Sequence, residues 1–469
     1  MAHVVVVGAG VGGLGAALAL SRVGHRVTLL ERDDTPLPDS VEAAFDWDRR
    51  GAPQVRHSHG FAARLHRVLQ SRFPDVLADL RDAGAVEHDL GAMLPPDIRV
   101  GIDDLKVIAA RRTTYEWVMR RSTLRSPLVD LRVGVGVDGL LAESANEGRP
   151  PRVVGVQLAD GSHVLADAVV ASTGPRGALG RWLEPHGIVI PEIVNETGIT
   201  YLTRFYRLCP GRSLPGGILQ TSSRRAGLSY SCVEADNGTF SITIAVDSTD
   251  GELRHHLLQT GPFEAVCRLL PGIDTLTHPD MATPITEVHA MGGLINRLRR
   301  FLDGKGGPRV TGFHALGDAH TTTNPLYGRG CSLAMVQAVL LADAFVDHPA
   351  DPVARAQAYE EASAREIEPW YHFAVDGDAL RSCEEIDPDD RRFTLYDLMR
   401  VGAAEPTLLP STLRTLTLLD TPDVIAEDGL FRETMATLRV AYAAKLAARR
   451  AEGYQPPVGR ADLLLAGVG

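Results

Sequence analysis

The amino-terminal segment carries the pattern that most restricts how this chain can fold. A continuous apolar run, HVVVV, ends at Gly8, and Gly10 and Gly13 complete the spacing G-x-G-x-x-G where a helical pattern begins. A second apolar run, RVTLLER, includes an acid near its end, Glu31. Strand, glycine turn, helix and strand in this order form a βαβ unit, whose crossover belongs to a buried parallel sheet. The segment therefore predicts an α/β fold.

The glycines and the acid predict an adenine dinucleotide site. Gly8 permits a tight turn, Gly10 lets a pyrophosphate approach the backbone, and Gly13 allows close packing of the helix on the strand. The carboxylate of Glu31 would accept hydrogen bonds from the ribose hydroxyls, and Arg32 beside it is assigned to the same site. Glycines that serve packing alone are the alternative.

Length, charge and cysteine content bound the class of protein. A chain of 469 residues predicts two or three domains, and its dispersed net charge of −11 argues against a nucleic-acid partner. Five scattered cysteines without a CxxC pair indicate neither a disulfide framework nor a metal site. The amino terminus lacks a basic segment, and no apolar stretch reaches about 18 residues. We therefore expect a cytoplasmic protein without a transmembrane segment.

A second nucleotide signal follows the apolar run VTGFHAL and reads GDAHTTTNPLYGRGCSLA. Its acid, at the strand end, could bond a ribityl hydroxyl, and the helix that follows would direct its positive end toward an isoalloxazine ring. Glycines and Asn-Pro would let bare backbone pass close to a flat ring. The junction favours FAD over NAD, and a loop capped by threonines is the alternative. The residues assigned to the flavin are Gly317, Asp318, Asn324, Pro325, Gly328 and Gly330.

The remaining pattern divides the chain into three parts. Residues 1–80, 100–184 and 286–349 are predicted to form a discontinuous Rossmann-type FAD-binding domain. Residues 81–99 and 185–285 are predicted to form a mostly antiparallel substrate-binding sheet that roofs the flavin, with one helix near residues 263–270. Residues 350–469 are predicted to be helical.

Four segments also carry a family resemblance: GAGVGG with Glu31, RGAPQVRHSHGF, DAVVASTGPRGALGRWLEPHGI and the junction at residues 317–334. Together they resemble FAD-dependent monooxygenases of the p-hydroxybenzoate hydroxylase fold and, within that group, the actinobacterial flavin epoxidases of polyether biosynthesis (lasalocid and monensin type). The resemblance implies a glutathione-reductase-like FAD domain with an inserted antiparallel sheet. It implies that Arg112 contacts the FAD phosphates from the strand before a helix. It also places Gln54, His57 and His59 in a loop beside the flavin.

The implied reaction uses a flavin C4a-hydroperoxide to epoxidise or hydroxylate a small organic substrate, of the secondary-metabolite kind, with O2 and with NADPH or NADH as electron donor. Two departures from the family matter. Ser172-Thr173-Gly174 stands where NADPH-using hydroxylases carry an Asp-Gly pair, which makes a separate flavin reductase plausible. Arg329 replaces the subgroup's glutamine, and an arginine near the flavin would favour an anionic flavin or substrate.

No catalytic residue can be assigned from the sequence. Epoxidation of an alkene needs no protein base, whereas hydroxylation of a phenol needs one, usually His or Tyr. A flavin halogenase is disfavoured because the chain has few lysines and no Trp-x-Trp-x-Ile-Pro segment. A flavin-dependent reductase or dehydrogenase for a prenyl or polyketide-type substrate remains an alternative, as does a flavin-binding partner without chemistry. The candidates for catalysis are His57, His59, Arg329 and Tyr201, followed by Tyr206, Tyr230 and His289.

Overall fold

In the computed structural model, the described residues are 1–99, 103–145, 149–177, 179–215, 221–225, 227–381, 383, 387–452 and 458–467. Their strands are β1 (His3–Val7), β2 (Arg26–Glu31), β3 (Val86–Asp89), β4 (Lys106–Ala109), β5 (Val129–Val133), β6 (Val137–Glu143), β7 (Arg152–Leu158), β8 (His163–Leu165), β9 (Ala168–Ala171), β10 (Glu192–Glu196), β11 (Ile199–Leu208), β12 (Thr221–Arg225), β13 (Leu228–Glu234), β14 (Thr239–Asp247), β15 (Ala282–Pro284), β16 (His289–Met291), β17 (Ile295–Arg299), β18 (Phe313–Ala315) and β19 (Thr321–Thr322). Their α-helices are α1 (Val11–Arg22), α2 (Ala63–Arg72), α3 (Pro74–Asp82), α4 (Arg112–Arg125), α5 (Leu179–Leu183), α6 (Gly251–Leu257), α7 (Thr260–Cys267), α8 (Gly330–Asp347), α9 (Pro352–Glu366), α10 (Glu368–Arg381), α11 (Leu395–Ala404), α12 (Leu409–Leu416), α13 (Pro422–Ala426), α14 (Gly429–Ala451) and α15 (Arg460–Leu465).

A parallel sheet in the order β18-β9-β1-β2-β5 forms the centre of the nucleotide-binding part. Strand β1 pairs with β2 and with β9, so that Val4 lies opposite Val27 and Ala168. Val4 packs toward α1 and α8, whereas Val5 packs toward the small sheet β6-β7-β8, and both are fully buried. Cover on both faces explains why the strands read as uninterrupted apolar runs. The predicted Rossmann-type α/β fold is confirmed.

Helices α1 and α8 pack closely because glycines of α1 face their neighbours. A Cβ on Gly15 would lie 2.5 Å from Met335 Sδ, and one on Gly12 would lie 2.6 Å from Leu316 Cδ2. Across the described ranges, α8 is the one helix long and apolar enough to suit a membrane span, and 67% of it is buried inside the protein. Burial of this extent is typical of the core helix of a globular domain.

A second sheet, in the order β12-β13-β14-β11-β15 with β16 also on β11, is antiparallel. Side chains alternate along β11, so Leu202 and Tyr206 pack under α6 and α7 while Tyr201 and Thr203 face the opposite side. The sequence predicted one helix here, and the structure has two. The additional helix, α6, has seven residues and is capped by the carboxylate of Asp250, so it is too short for hydrophobic periodicity to reveal it.

A buried ion pair joins the antiparallel sheet to the nucleotide-binding part. Asp236, in the turn between β13 and β14, accepts hydrogen bonds from Arg111 Nε at 3.0 Å and Thr114 Oγ1 at 2.8 Å. Arg111 immediately precedes α4, so the pair fixes the start of that helix against the sheet. The helices α9 to α14 then cover the carboxy-terminal side, as predicted, and α15 returns to pack Leu463 into the core beneath the antiparallel sheet.

Candidate functional site

The turn between β1 and α1 has the geometry of a phosphate cradle. Gly8 has a φ of +98°, and a Cβ there would lie 2.5 Å from Ser172 O; a Cβ on Gly13 would lie 1.7 Å from the Gly8 carbonyl oxygen. A Cβ on Gly10 would meet no atom within 4 Å. The first turn of α1 carries no acid and no side-chain cap. Its N–H groups therefore suit an anion such as a pyrophosphate.

Glu31 lies under this turn, at the end of β2. Its Oε2 accepts a hydrogen bond from Ala9 N at 2.9 Å, and its Oε1 accepts one from Asp33 N at 2.9 Å. The carboxylate is buried, and its role at the adenosine ribose stays a prediction. The side chain of Arg32 is exposed and, within the described parts of the chain, has no hydrogen bond or ion pair.

Two buried arginines extend the site beyond the residues that the sequence indicated. The guanidinium carbons of Arg49 and Arg120 lie 4.7 and 5.2 Å from the ring of Trp47. Arg49 NH2 is 3.5 Å from Glu31 Oε2, and its NH1 is 3.0 Å from Glu116 Oε2. Sequence reasoning missed this group because the segment DWDRR has no periodicity and was assigned to a loop.

Several buried polar atoms of this group have no hydrogen-bond partner. Among the described residues, Trp47 Nε1, Arg49 Nε, and both Nε and NH2 of Arg120 are buried without a hydrogen bond. Burial and the neighbouring Arg49 lower the pKa of Arg120 to about 10. Arg49 Nε is 3.7 Å from Asp33 Oδ2, and Arg120 NH2 is 4.0 Å from Glu31 Oε2, so these two donors have ionic partners. Trp47 Nε1 and Arg120 Nε are left for the acceptors of a bound group to satisfy, since buried donors in native proteins are almost always satisfied.

Arg112 is the first residue of α4, with Arg111 as N-cap, and not part of the preceding strand as the resemblance implied. Its Nε donates to Glu116 Oε1 at 2.7 Å, and its NH1 donates to His59 Nε2 at 3.2 Å. Since arginine can only donate, His59 accepts at Nε2 and donates from Nδ1 to the His57 carbonyl at 2.9 Å. Burial and the adjacent Arg112 lower the pKa of His59 to about 3. The His59 ring is therefore neutral, and it orients Arg112 by accepting this hydrogen bond.

His57 docks on the polar face of the antiparallel sheet. Its Nδ1 is 3.0 Å from Thr203 Oγ1, which is 2.8 Å from Thr243 Oγ1. The hydroxyl of Ser58 continues this network to Thr243 at 2.7 Å and to Ser241 at 2.6 Å. Burial, with the neighbouring histidines, lowers the pKa of His57 to about 3. The histidine loop therefore presents uncharged rings at neutral pH.

Asp318 lies in a short turn, Gly317–Ala319, directly after β18. Within the described parts of the chain its carboxylate makes no hydrogen bond or ion pair, although Arg112 acts on it electrostatically. Burial raises its pKa, and Arg112 opposes that rise. Nearby, Ser332 Oγ in the first turn of α8 accepts from Ala62 N at 3.3 Å, so the histidine loop and the junction adjoin. Asp318 offers free acceptor oxygens beside both segments.

Asn324 uses its side chain to shape the junction. Its Nδ2 donates to Asp378 Oδ1 at 2.6 Å, and its Oδ1 accepts from Leu326 N at 2.9 Å. A ligand contact in this turn would therefore fall to backbone, including Gly328, whose φ is +64°. Pro325 and Gly330 are exposed on either side of the turn.

Arg329 lies in a cage of aromatic rings, which the sequence did not predict. Its guanidinium carbon lies 4.6 Å from the ring of Tyr327, 4.9 Å from Trp370 and 4.5 Å from Phe373, so that helix α10 and the turn enclose it. Burial lowers its pKa to about 10. An aromatic cage retains the cation because guanidinium groups stack on aromatic faces. Among the described residues its Nε and NH1 are buried without a hydrogen bond, and a position near the flavin stays a prediction.

The remaining candidates separate by the face of the sheet on which they lie. Tyr206 packs in the core under α6 and α7, and the Tyr230 hydroxyl donates to the Pro271 carbonyl at 3.2 Å. His289 is half-buried on β16, and Gln54 lies in the turn Pro53–Arg56 without a side-chain hydrogen bond among the described residues. Tyr201 faces the histidine loop, with its ring 4.6 Å from that of His57.

These features fit FAD. The cradle at Gly10 suits a pyrophosphate, and the orphaned donors around Trp47 lie beside the Glu31 carboxylate that the adenosine ribose requires. The free carboxylate of Asp318 suits a ribityl hydroxyl. Asp318 keeps its side-chain oxygens free for this role, whereas both oxygens of Glu31 already accept backbone hydrogen bonds, so a ribose hydroxyl would share one of them.

Comparisons with known proteins agree with this fit. Residues 3–46 match the family model "Pyridine nucleotide-disulphide oxidoreductase". The chain is 29% identical to Protein Rv3254 of Mycobacterium tuberculosis over 89% of this chain and 90% of that protein. It is 28% identical to kynurenine 3-monooxygenase of Salinispora arenicola over 77% of this chain and 76% of that enzyme.

Solved structures share the fold at low sequence identity. PqsL of Pseudomonas aeruginosa, in complex with 2-aminobenzoylacetate, superposes with a TM-score of 0.57 at 17% identity, over 80% of this chain and 96% of PqsL. OxyS anhydrotetracycline hydroxylase of Streptomyces rimosus gives 0.57 at 20% identity, over 89% and 76% of the two chains. The flavin-dependent brominase Bmp2 gives 0.57 at 14% identity, over 94% and 100%.

The fold and the phosphate turn are of the kind found in FAD-dependent oxidoreductases. More closely, the arrangement of a Rossmann-type domain, an antiparallel sheet and carboxy-terminal helices is the fold of the FAD-dependent monooxygenases.

Proposed function

We propose that this protein is a flavin-dependent monooxygenase that transfers one oxygen atom from O2 to a small organic substrate. The observation that carries the proposal is the convergence of three segments on one face of the antiparallel sheet. The junction at Asp318, the histidine loop and the start of α4 adjoin one another, through Arg112 and Ser332, next to the polar face of β11 and β14. A sheet that covers such a site would shield a reaction from water.

The chain's own residues would hold FAD along this line. Gly8, Gly10 and Gly13 would take the pyrophosphate, and Glu31 with Arg49 would take the adenosine end. At the other end, Asp318 and the backbone of residues 324–330 would hold the ribityl chain and ring, with Arg112 beside them. Bound FAD would supply the redox chemistry that activates O2.

The protonation states near Asp318 favour epoxidation over phenol hydroxylation. A general base works best when its pKa lies near the working pH. His57 and His59 both have pKa values lowered to about 3, which makes them weak bases. Burial raises the pKa of Tyr201, so its hydroxyl stays protonated. Transfer of oxygen to an alkene needs a dry pocket and no protein base, so it suits these residues better.

The test is an anaerobic absorbance spectrum of the FAD-loaded protein, before and after NADPH and then after air. We expect the flavin band to bleach, with NADPH or NADH alone or with an added flavin reductase, and to recover on exposure to air with release of hydrogen peroxide. A flavin that stays reduced in air and recovers only with an enone acceptor would identify the protein as a reductase and overturn the proposal. Bleaching only with an added reductase would assign the electron supply to a second protein.

A further inference from the structure

A small apolar cluster joins the antiparallel sheet to the junction turn. Ile199, Tyr201 and Ala245 form its buried part, and Met291, Leu294 and Leu326 pack against them while remaining partly exposed. Leu326 belongs to the turn that follows Asn324, whereas the other members come from the sheet and from the segment just after β16. The cluster therefore lies where a substrate between the sheet and the junction would make contact.

The hydroxyl of Tyr201 is the polar group of this cluster, and it lacks a strong partner. The side chain is 5% exposed, and its hydroxyl donates to Met291 Sδ at 3.1 Å. A thioether sulfur is a weak acceptor, so this donor is poorly satisfied for a buried group. The edge-on contact with the His57 ring at 4.6 Å restrains the tyrosine ring, which leaves the hydroxyl directed at the partly exposed side chains.

Two charged groups act electrostatically on Tyr201, Arg112 and Asp318. Arg112 is held by Glu116 at 2.7 Å, whereas the Asp318 carboxylate makes no hydrogen bond or ion pair among the described residues. An anionic substrate at this place would therefore lose hydration and face an unpaired carboxylate.

We infer that Tyr201 donates a hydrogen bond to the substrate, and that the site takes a largely apolar molecule without an anionic group, with an acceptor oxygen, such as a carbonyl, at the end that meets Tyr201. Met291, Leu294 and Leu326 contact the apolar body. This inference rests on the proposed function, since it places the substrate at the same site.

The test uses two probes of almost equal shape, acetophenone and α-methylstyrene, which differ by a carbonyl oxygen in place of a methylene group. Their dissociation constants are measured by ligand-observed NMR on the FAD-loaded wild type, Tyr201→Phe and Tyr206→Phe. Tyr206 is the matched control because it is on the same strand but packs into the core against Phe240. We expect the wild type and Tyr206→Phe to prefer acetophenone about fivefold, and Tyr201→Phe to lose that preference.

Equal binding of the two probes to the wild type, or a preference that survives in Tyr201→Phe, would overturn the inference. Thermal unfolding of each variant shows whether it is folded, and the ratio of two dissociation constants within one variant is insensitive to partial unfolding. The redox test above is separate. Air-reactive flavin together with a preference unaffected by Tyr201→Phe would reject the substrate class alone, whereas a flavin that stays reduced in air would reject the proposed function.

Discussion

The two ends of the candidate FAD site are built from different chemistry. At the adenosine end, Arg49, Arg120, Glu31 and Glu116 place full charges inside the protein, within ion-pairing distance of one another. At the ring end, the buried cation of Arg112 acts on the free carboxylate of Asp318, and the neighbouring groups are two neutral histidines, a tyrosine and a row of hydroxyls. Charged groups fix an anionic cofactor strongly, whereas neutral groups leave a site with little competing water and few competing protons. The difference indicates that the adenosine end binds the cofactor tightly and that the reaction takes place at the ring end.

The largest effect is expected at the charged end. Arg49→Ala would leave Glu31 and Glu116 short of a buried partner, so we expect it to lower the free energy of unfolding by about 3–5 kcal/mol and to abolish FAD retention. Urea denaturation and flavin content of the purified protein measure both. Arg50→Ala is the control, because that neighbouring side chain is exposed and its ion pair among the described residues is with the exposed Asp48. Equal stability of the Arg49 variant and the wild type would contradict the comparison.

At neutral pH a smaller effect is expected at the ring end, where the change appears only as the pH falls. His57 has a pKa of 6.5 when unfolded and about 3 when folded, so protonation favours the unfolded chain. Its contribution to stability is complete above pH 6.5 and is lost as the pH falls toward 3. We expect His57→Gln to reduce the slope of unfolding free energy against pH in this window by about 1.4 kcal/mol per pH unit. His278→Gln, at an exposed histidine, should leave the slope unchanged.

A third prediction concerns the free carboxylate. Asp318→Asn removes an unpaired, half-buried charge and one acceptor, so we expect FAD to bind about tenfold more weakly while the FAD-free protein keeps or gains stability. Fluorescence titration with FAD and thermal unfolding without it separate the two quantities. Asp347→Asn, at the exposed end of α8, is the control. Unchanged FAD affinity in the Asp318 variant would remove this residue from the site.

The smallest effect is expected at the caged arginine. Arg329→Met fills the aromatic cage with an uncharged side chain of similar length, so we expect FAD affinity to change by less than about twofold. The same fluorescence titration measures it. A loss of FAD affinity as large as that of the Asp318 variant would show that the cage, and not only the ring-end carboxylate, acts on the cofactor.

The sequence predicted the elements that obey local rules. The glycine spacing, the acid after β2 and the apolar run before Asp318 each have a fixed offset from a strand or a helix, and the structure confirms the Rossmann-type fold that they predict. Arg49 and Arg120 could not be found in this way. Their partners are 18 and 89 residues distant in sequence at Glu31, so only the tertiary fold brings them together.

The sequence missed two features of the ring end, the aromatic cage of Arg329 and the start of α4 at Arg112, for the same reason. Arg329 was read from its place in a motif, but three aromatic rings, two of them on α10, determine where its side chain lies. Arg112 was expected in the strand before α4, but it is the first residue of that helix. The boundaries of a helix are poorly defined by a single sequence. A sequence gives the position of a residue in the chain, but it does not give the direction in which the side chain points, and the prediction lacked that direction.

The most direct test of the division between the two ends is a crystal structure of the protein with FAD. We expect the pyrophosphate over the backbone at Gly10, the adenosine beside Glu31 and Arg49, and the ribityl chain at Asp318, with the ring on the side of Tyr201. A flavin ring bound at the Arg49 end, or FAD bound away from both Gly10 and Asp318, would contradict the account.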